Sequence, residues 1–390
     1  MRSDVSIAQT RVLPPPSADR WLVGIFLLLL AVPGVLGLSG QGVRQAILAG
    51  EPPPRRPSLG SAGGVEGWMR AVRGYARVSF GLRQQMVRWD AELKGALGLS
   101  QSYGSAVTHG REGWLFYRVH RGTQGVRPED PFSPEELERW VQTLEKARRT
   151  VEGRGIPFLF VVAPDKETIH PEMLPPELPA AREISRLDAL TARLRAGGMT
   201  VVDLRPALRG AREGGSAFYR WPLYFRTDTH WNALGAFLGT RAVLVELRGR
   251  FPGLHIPADE ELEVDASDTG GGDLARMEGL QDTSSDLFVR ARLRTARCAF
   301  DPFHGSIPPS PETPLQQAQT LECPGAPIGR GLILHDSMMV AMIPHLAPAF
   351  RRSTWRLTPT LDPALLDSEA PDVVILELVE RTLWEGLPGW

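Results

Sequence analysis

Apolar residues in this chain recur in two rhythms. Short continuous runs bounded by Gly, Pro or polar residues read as strands buried on both faces: Pro157–Ala163 (PFLFVVA), Met199–Leu204, Gly331–Leu334 and Asp372–Leu376 (DVVIL). Between them apolar positions repeat every three or four residues. Leu137, Trp140, Val141 and Leu144 form one stripe of a helix reaching about Glu152. Its start is marked by Ser133-Pro134-Glu135-Glu136, a capping box with Pro at the first helical position. A second helix spans Ile184–Ala196 and stops at Gly197-Gly198. A third spans Asn232–Gly249, with Leu234, Phe237, Leu238, Ala242 and Val245 on one face, and a fourth begins at Ser337. Val107–Tyr117 reads as a turn feeding a strand, and no internal repeat is visible. The alternation predicts an α/β three-layer sandwich around a mostly parallel sheet from about residue 103 to 390. Functional residues of such sheets lie at the carboxyl ends of the strands.

The N-terminal region has a different pattern. Trp21–Leu38 is 18 residues without a charge, behind Arg2, Arg11 and Arg20. That length and flank predict a single transmembrane helix, with the N-terminus cytoplasmic and everything after about residue 40 exported. A cleaved signal peptide and a buried core helix are the competing readings; the small residues around Gly37–Gly40 suit the former. Residues 41–102 read as a linker (EPPPRRP, GSAGG) and a helical stem, with Trp68, Met69, Val72, Tyr75, Val78 and Leu82 at helical spacing. A net charge of −1 gives no footprint for nucleic acid. Only three of the 44 basic residues are Lys, a skew of genome composition rather than function. Export makes a disulfide between the two cysteines, Cys298 and Cys323, possible. Two cysteines so spaced do not make a zinc site, and no metal or cofactor is expected.

Two segments carry candidate chemistry: Thr227-Asp228-Thr229-His230-Trp231-Asn232, and Leu334-His335-Asp336-Ser337, where an apolar run ends at a Ser. A serine nucleophile needs a base, usually His, whose other nitrogen is held by a carboxylate. Asp and His two apart in an extended loop point the same way. Asp228 then orients His230, His230 takes the proton of Ser337, and backbone N–H groups beside Ser337 face a developing oxyanion. Other readings remain: a helix cap at Asp228 or Asn232 with His230 merely packed, a metal site with only two ligands, or His335 as the base. His335 has no neighbouring carboxylate in an obvious orienting geometry.

Taken in order, GREGWLFY (110–117), VVAPDKETIHPEMLP (161–175), FRTDTHWNALGAF (225–237), GGDLARM (271–277), LHDSMM (334–339) and PDVVILELVER (371–381) resemble the SGNH-hydrolase-like acetyltransferases of alginate O-acetylation, the AlgJ/AlgX family. The resemblance implies an SGNH-like sandwich and a catalytic set of Asp228, His230 and Ser337. It implies an O-acetyltransferase that passes an acetyl group through a serine ester to hydroxyls of an exported polysaccharide. It further implies a multi-spanning membrane acyltransferase as acetyl supplier, other secretion-complex partners, and a bacterial inner-membrane location with the catalytic domain periplasmic. A carbohydrate esterase with the same three residues and a non-catalytic scaffold are the alternatives. His335 stands where the family has Gly, and Met338 where Phe is usual. Only 53 residues follow Ser337, so no carbohydrate-binding module is expected and the chain looks closer to the AlgJ type. Three further groups have open readings. Trp114, Phe116 and Tyr117 line a sugar surface or fill the core; Asp165 and Lys166 touch substrate or form a structural ion pair; Arg381 holds an anionic sugar or pairs with Glu377.

Overall fold

The computed structural model describes residues 21–27, 68, 69, 72, 75, 89, 106–118, 131–176, 178, 184–213, 220–295, 298 and 319–386. The chain divides into two units, Met1–Val87 and Arg88–Trp390. In the first, residues 21–27 are helical and exposed; the rest of the apolar run Trp21–Leu38 lies outside the described residues. Among the described residues no helix is long and apolar enough to cross a membrane. Trp68, Met69, Val72 and Tyr75 of the expected stem are helical, whereas Val78 and Leu82 lie outside the described residues.

The second unit is built around six strands. In chain order its regular elements are β1 (Val107–His109), β2 (Leu115–Tyr117), α1 (Pro134–Glu152), β3 (Phe158–Ala163), α2 (Lys166–Ile169), α3 (Arg186–Ala196), β4 (Thr200–Asp203) and α4 (Arg205–Glu213). There follow α5 (Ala233–Arg250), β5 (Leu262–Gly270), α6 (Asp273–Met277), β6 (Ser285–Leu293), β7 (Gln319–Glu322) and β8 (Ile328–Leu334). The last are α7 (Ile343–Leu346), β9 (Phe350–Arg356), α8 (Pro363–Glu369), β10 (Val373–Val379) and α9 (Thr382–Glu385). The sheet order is β4-β3-β10-β8-β9-β7, all parallel except the antiparallel edge strand β7. β1–β2 and β5–β6 are separate antiparallel pairs.

Side-chain alternation sorts the sheet into two faces. On β3, Leu159, Val161 and Ala163 pack with α5, while Phe158, Phe160 and Val162 pack with α1 and α3. Every residue of β3 and β10 is buried, which explains their unbroken apolar runs. Each fully buried side chain of this size contributes about 1.5–3 kcal/mol. Helix starts follow side-chain chemistry. Ser133 and Glu136 close a reciprocal capping box, as do Ser185 and Asp188. The Asn232 side chain accepts from the amides of Leu234 and Gly235 and starts α5.

Register aligns the carboxyl ends of the central strands. Leu376 of β10 lies opposite both Phe160 of β3 and Leu334 of β8. The Leu334–Ser337 segment therefore emerges beside Glu377. Cys298 and Cys323 form a disulfide with Cα atoms 5.8 Å apart, tying the chain beyond β6 to the edge strand β7. The bond closes a separation of 25 residues. On chain-entropy grounds, replacing both cysteines by Ala should lower stability by about 3 kcal/mol. Urea unfolding should show a lower midpoint and a steeper slope, because the released unfolded chain exposes more surface; an unchanged midpoint would mean that the cross-link does not constrain the unfolded chain.

Candidate active site

The segment Leu223–Asn232 doubles back on itself, with Tyr224 bridged to Trp231 and the Phe225 amide donating to the His230 carbonyl. The loop inside this fold has no ladder, so its backbone groups need other partners. Asp286 of β6 accepts from the amides of Arg226 and Thr227 and from the Thr227 hydroxyl, at 3.0, 2.7 and 2.6 Å. The Thr227 carbonyl accepts from Leu274 and Ala275 of α6. Asp273 accepts from the Thr229 amide at 2.7 Å and from its hydroxyl at 2.6 Å. The Lys166 ammonium donates to the carbonyls of Phe225, Arg226 and Asp228 at 3.0, 3.0 and 2.7 Å.

Within this frame His230 meets both predicted partners. Its Nδ1 lies 2.7 Å from Asp228 Oδ1 and its Nε2 lies 2.8 Å from Ser337 Oγ. A carboxylate only accepts, so Nδ1 carries the proton and Nε2 is left to accept from the Ser337 hydroxyl. The amides of His230 and Asp273 donate to the two Asp228 oxygens, at 3.0 and 2.9 Å. Burial alone would raise the Asp228 carboxyl, but the hydrogen bond and charge of His230 and these two amides hold it below its ordinary value. Burial alone would lower His230, but the hydrogen bond and charge of Asp228, with the charge of Asp273, raise it. Asp273 is itself raised by burial and by Asp228. Asp228, His230 and Asp273 bring ligand-type atoms within 4.8 Å of one another, a third member beyond the two expected from sequence. Their facing atoms are already engaged by the N–H and O–H donors just described.

Ser337 is exposed and opens a six-residue 3₁₀ turn, Ser337–Met342, rather than an α-helix. Asp336 caps this turn, accepting from the Met338 amide at 2.8 Å and from the Val379 amide of β10 at 2.6 Å. The Met338 N–H expected to face an oxyanion is therefore taken. The Asp336 amide donates to Glu377, 3.2 Å away. Burial, and then the Asp336 charge, push the Glu377 carboxyl well above its ordinary value. Trp231, next to His230, donates from its indole to the Met338 carbonyl at 2.9 Å. That bond fixes the His230 loop against the Ser337 turn.

Other sequence readings resolve differently. The cap reading and the relay coexist, because Asn232 starts α5 while His230 stays half-buried and turned to Ser337. His335 is buried, donates from Nδ1 to the Asp336 carbonyl at 2.7 Å, and packs edge-on to Trp355. Trp114 and Phe116 are core residues whose rings face the Lys166 ammonium, so they do not line a sugar surface. Lys166 makes no ion pair among the described residues; its partners are carbonyls. Arg381 pairs with Asp165 at 2.7 Å, not with Glu377, and its guanidinium lies 5.9 Å from the Tyr117 ring centre. Sequence reading missed Asp273, Asp286 and Trp231 as supports. GGDLARM contains Asp273 but gives no sign that it folds onto Thr229.

A three-layer sandwich with Ser, His and Asp gathered at strand carboxyl ends defines the SGNH-hydrolase-like class. Residues 107–300 match the family described as "SGNH hydrolase-like domain, acetyltransferase AlgX". A "Probable alginate O-acetylase AlgJ" of Pseudomonas aeruginosa is 31% identical over 227 residues, covering 57% of this chain and 49% of that protein. Its Pseudomonas fluorescens counterpart is 25% identical over 173 residues, 43% of this chain and 40% of that protein. The matched stretch thus spans about half, or less, of these curated relatives. Among solved structures, Bacillus cereus PatB1 superposes with a TM-score of 0.51 at 16% identity, over 72% of this chain and 96% of that one. At that identity the likeness is one of fold.

Gly272 tests the site's packing. A Cβ there would fall 2.4 Å from Asp228 Cβ and 2.6 Å from Asp228 Oδ2. Gly272→Ala should push the carboxylate off His230 while the sheet stays folded. Acetyl-ester turnover should drop by roughly 10²-fold, as misplacement by about 1 Å does elsewhere. Turnover within a factor of two, with an unchanged near-UV spectrum, would show that Asp228 can shift freely.

Proposed function

We propose that this chain is an O-acetyltransferase that moves an acetyl group through an ester of Ser337 to hydroxyls of an exported polysaccharide, alginate-like or another. The observation that carries the reading is the continuous hydrogen-bond path Asp228–His230–Ser337, with Ser337 open to solvent. His230 Nε2 takes the Ser337 proton as Oγ attacks the acetyl carbonyl, and Asp228 stabilises the imidazolium that forms. The imidazolium then protonates the departing donor group, leaving acetyl-Ser337. In the second half, His230 removes the proton of a sugar hydroxyl, whose oxygen takes the acetyl group as the ester bond to Ser337 breaks, and the imidazolium returns that proton to Ser337 Oγ. The raised His230 favours the protonated form generated in each half.

The same reading places the chain in a bacterial inner membrane through residues 1–40, with 41–102 as linker and stem and 103–390 as a periplasmic catalytic domain. The uncharged Trp21–Leu38 run behind three arginines supports it. A multi-spanning acyltransferase would present the acetyl donor on the periplasmic side. Protease added to spheroplasts should remove the domain while a cytoplasmic control survives. Protection of the domain would reverse the orientation, and a mature N-terminus near residue 40 would replace the anchor by a signal peptide.

Turnover by the full-length chain in detergent decides the chemistry. Ser337→Ala should be folded and inactive, His230→Ala comparably impaired, and Asp228→Ala reduced by roughly 10⁴-fold. His335→Ala should retain activity. A folded, active Ser337→Ala protein would sink the acyl-enzyme. With an acetyl ester and an oligosaccharide supplied together, sugar acetylation marks a transferase. Acetate release alone marks an esterase, and no reaction marks a scaffold.

A further inference from the structure

The proposed chemistry leaves the buried ammonium of Lys166 unused. Lys166, the first residue of α2, follows the carboxyl end of β3 and is almost completely buried. An ammonium has three N–H bonds, and three carbonyl oxygens receive them: Phe225, Arg226 and Asp228. The shortest of the three, 2.7 Å, goes to the carbonyl of Asp228 itself. The rings of Trp114 and Phe116, with centroids 5.4 and 5.3 Å from Nζ, cover the ammonium from the β2 side. A charge with no ion-pair partner among the described residues is costly to bury, and three convergent dipoles from one loop repay only part of it. An apolar side chain would fill the same space without that cost but would leave three carbonyls unsatisfied.

We propose that Lys166 is a positioning residue of the active site: its ammonium gathers the carbonyls of Phe225, Arg226 and Asp228 and so aims the Asp228 carboxylate at His230. The proposal rests on the acyl-transfer reading of Ser337. Removing the ammonium proton leaves two N–H bonds and a lone pair facing three oxygens, so one carbonyl must turn away. The charged groups around Nζ come from every element that packs on it: Glu167 and His170 of its own segment, Asp228 of the loop, Asp273 of α6 and Asp286 of β6. Burial lowers Lys166 to about 8 against the pull of these acids. The folded value is depressed, so between about 8 and 10.5 the unfolded chain holds more protons than the folded one. This group therefore makes the fold no less stable as pH rises through that window. An alkaline loss of activity from Lys166 is a loss of aim in a folded protein.

The test is the pH profile of acetyl-ester turnover by the full-length chain in detergent, with near-UV circular dichroism at each pH. Wild-type kcat should fall about tenfold per pH unit above the Lys166 value, with KM and the spectrum unchanged. Lys166→Met should lower kcat by roughly 10²-fold at pH 7.5 and leave the residual rate flat to pH 9.5. Should Lys166→Met fail to fold, Lys166→Arg takes its place. Its guanidinium stays charged, so its reduced rate should also lack the alkaline limb. A wild-type rate level to pH 9.5, a folded Lys166→Met protein within threefold of wild type, or a variant that keeps the limb would each overturn the proposal. Ser337→Ala is run alongside. Its activity would overturn the acyl-transfer reading instead, whereas an inactive Ser337→Ala beside any negative Lys166 result rejects the positioning role alone.

Discussion

A polar backbone segment with almost no ladder of its own must find most of its hydrogen bonds elsewhere. That requirement organises this site. The loop between Phe225 and His230 draws an ammonium from the end of β3, a carboxylate from β6 and the first amides of α6. Each partner sits on a rigid element, so the orientation of Asp228 and His230 is inherited from the fold rather than from the loop. The β5–β6 hairpin thereby gains a reason to exist. It is largely solvent-facing along β5, yet it delivers Asp286 to two amides and a hydroxyl of the loop.

The opposite requirement holds beneath Ser337. Two carboxyl groups of the β10 end, Glu377 and Glu380, are buried, and burial raises both above the usual carboxylate range. The upward shift of Glu377 reflects both its burial and its nearness to the like charge of Asp336. Asp336 holds the Ser337 turn to β10 through the Val379 amide. Arg381 and Asp165 bind the end of β10 to the end of β3, and the Asp165 amide donates to Glu380 across the same gap. Such buried pairs contribute little net stability, but breaking one leaves an uncompensated charge, so they specify one arrangement.

The sequence was most readable where a local rule governs. β3 and β10 show as unbroken apolar runs because both faces are covered, and α1, α3 and α5 show through their stripes and caps. β10 extends past Leu376 to Val379 and buries Glu377, a polar residue in an apolar series. The β5–β6 hairpin and β9 were not legible. Leu262–Gly270 is mostly exposed, and Phe350–Arg356 carries three arginines. Asp228, His230 and Ser337 stood out by residue type and spacing. Their supports did not, because Asp273, Asp286 and Lys166 reach the loop from 44 to 62 residues away and no short-range pattern encodes that distance.

Strand order has a consequence for the route by which the domain assembles. β10, the last strand among the described residues, lies in the middle of the sheet, between β3 and β8. Before it arrives, the chain can form two half-sheets, β4–β3 on one side and β8–β9–β7 on the other. The first half carries Lys166 and its grip on the His230 loop, and the second carries Ser337. Pairing Phe158–Ala163 with Val374–Val379 closes a loop of more than 200 residues, a slow, entropically opposed step in folding. β10 thus joins the half-sheet that carries Lys166 to the one that carries Ser337. Until then, each half-sheet keeps apolar residues that β10 covers in the finished fold.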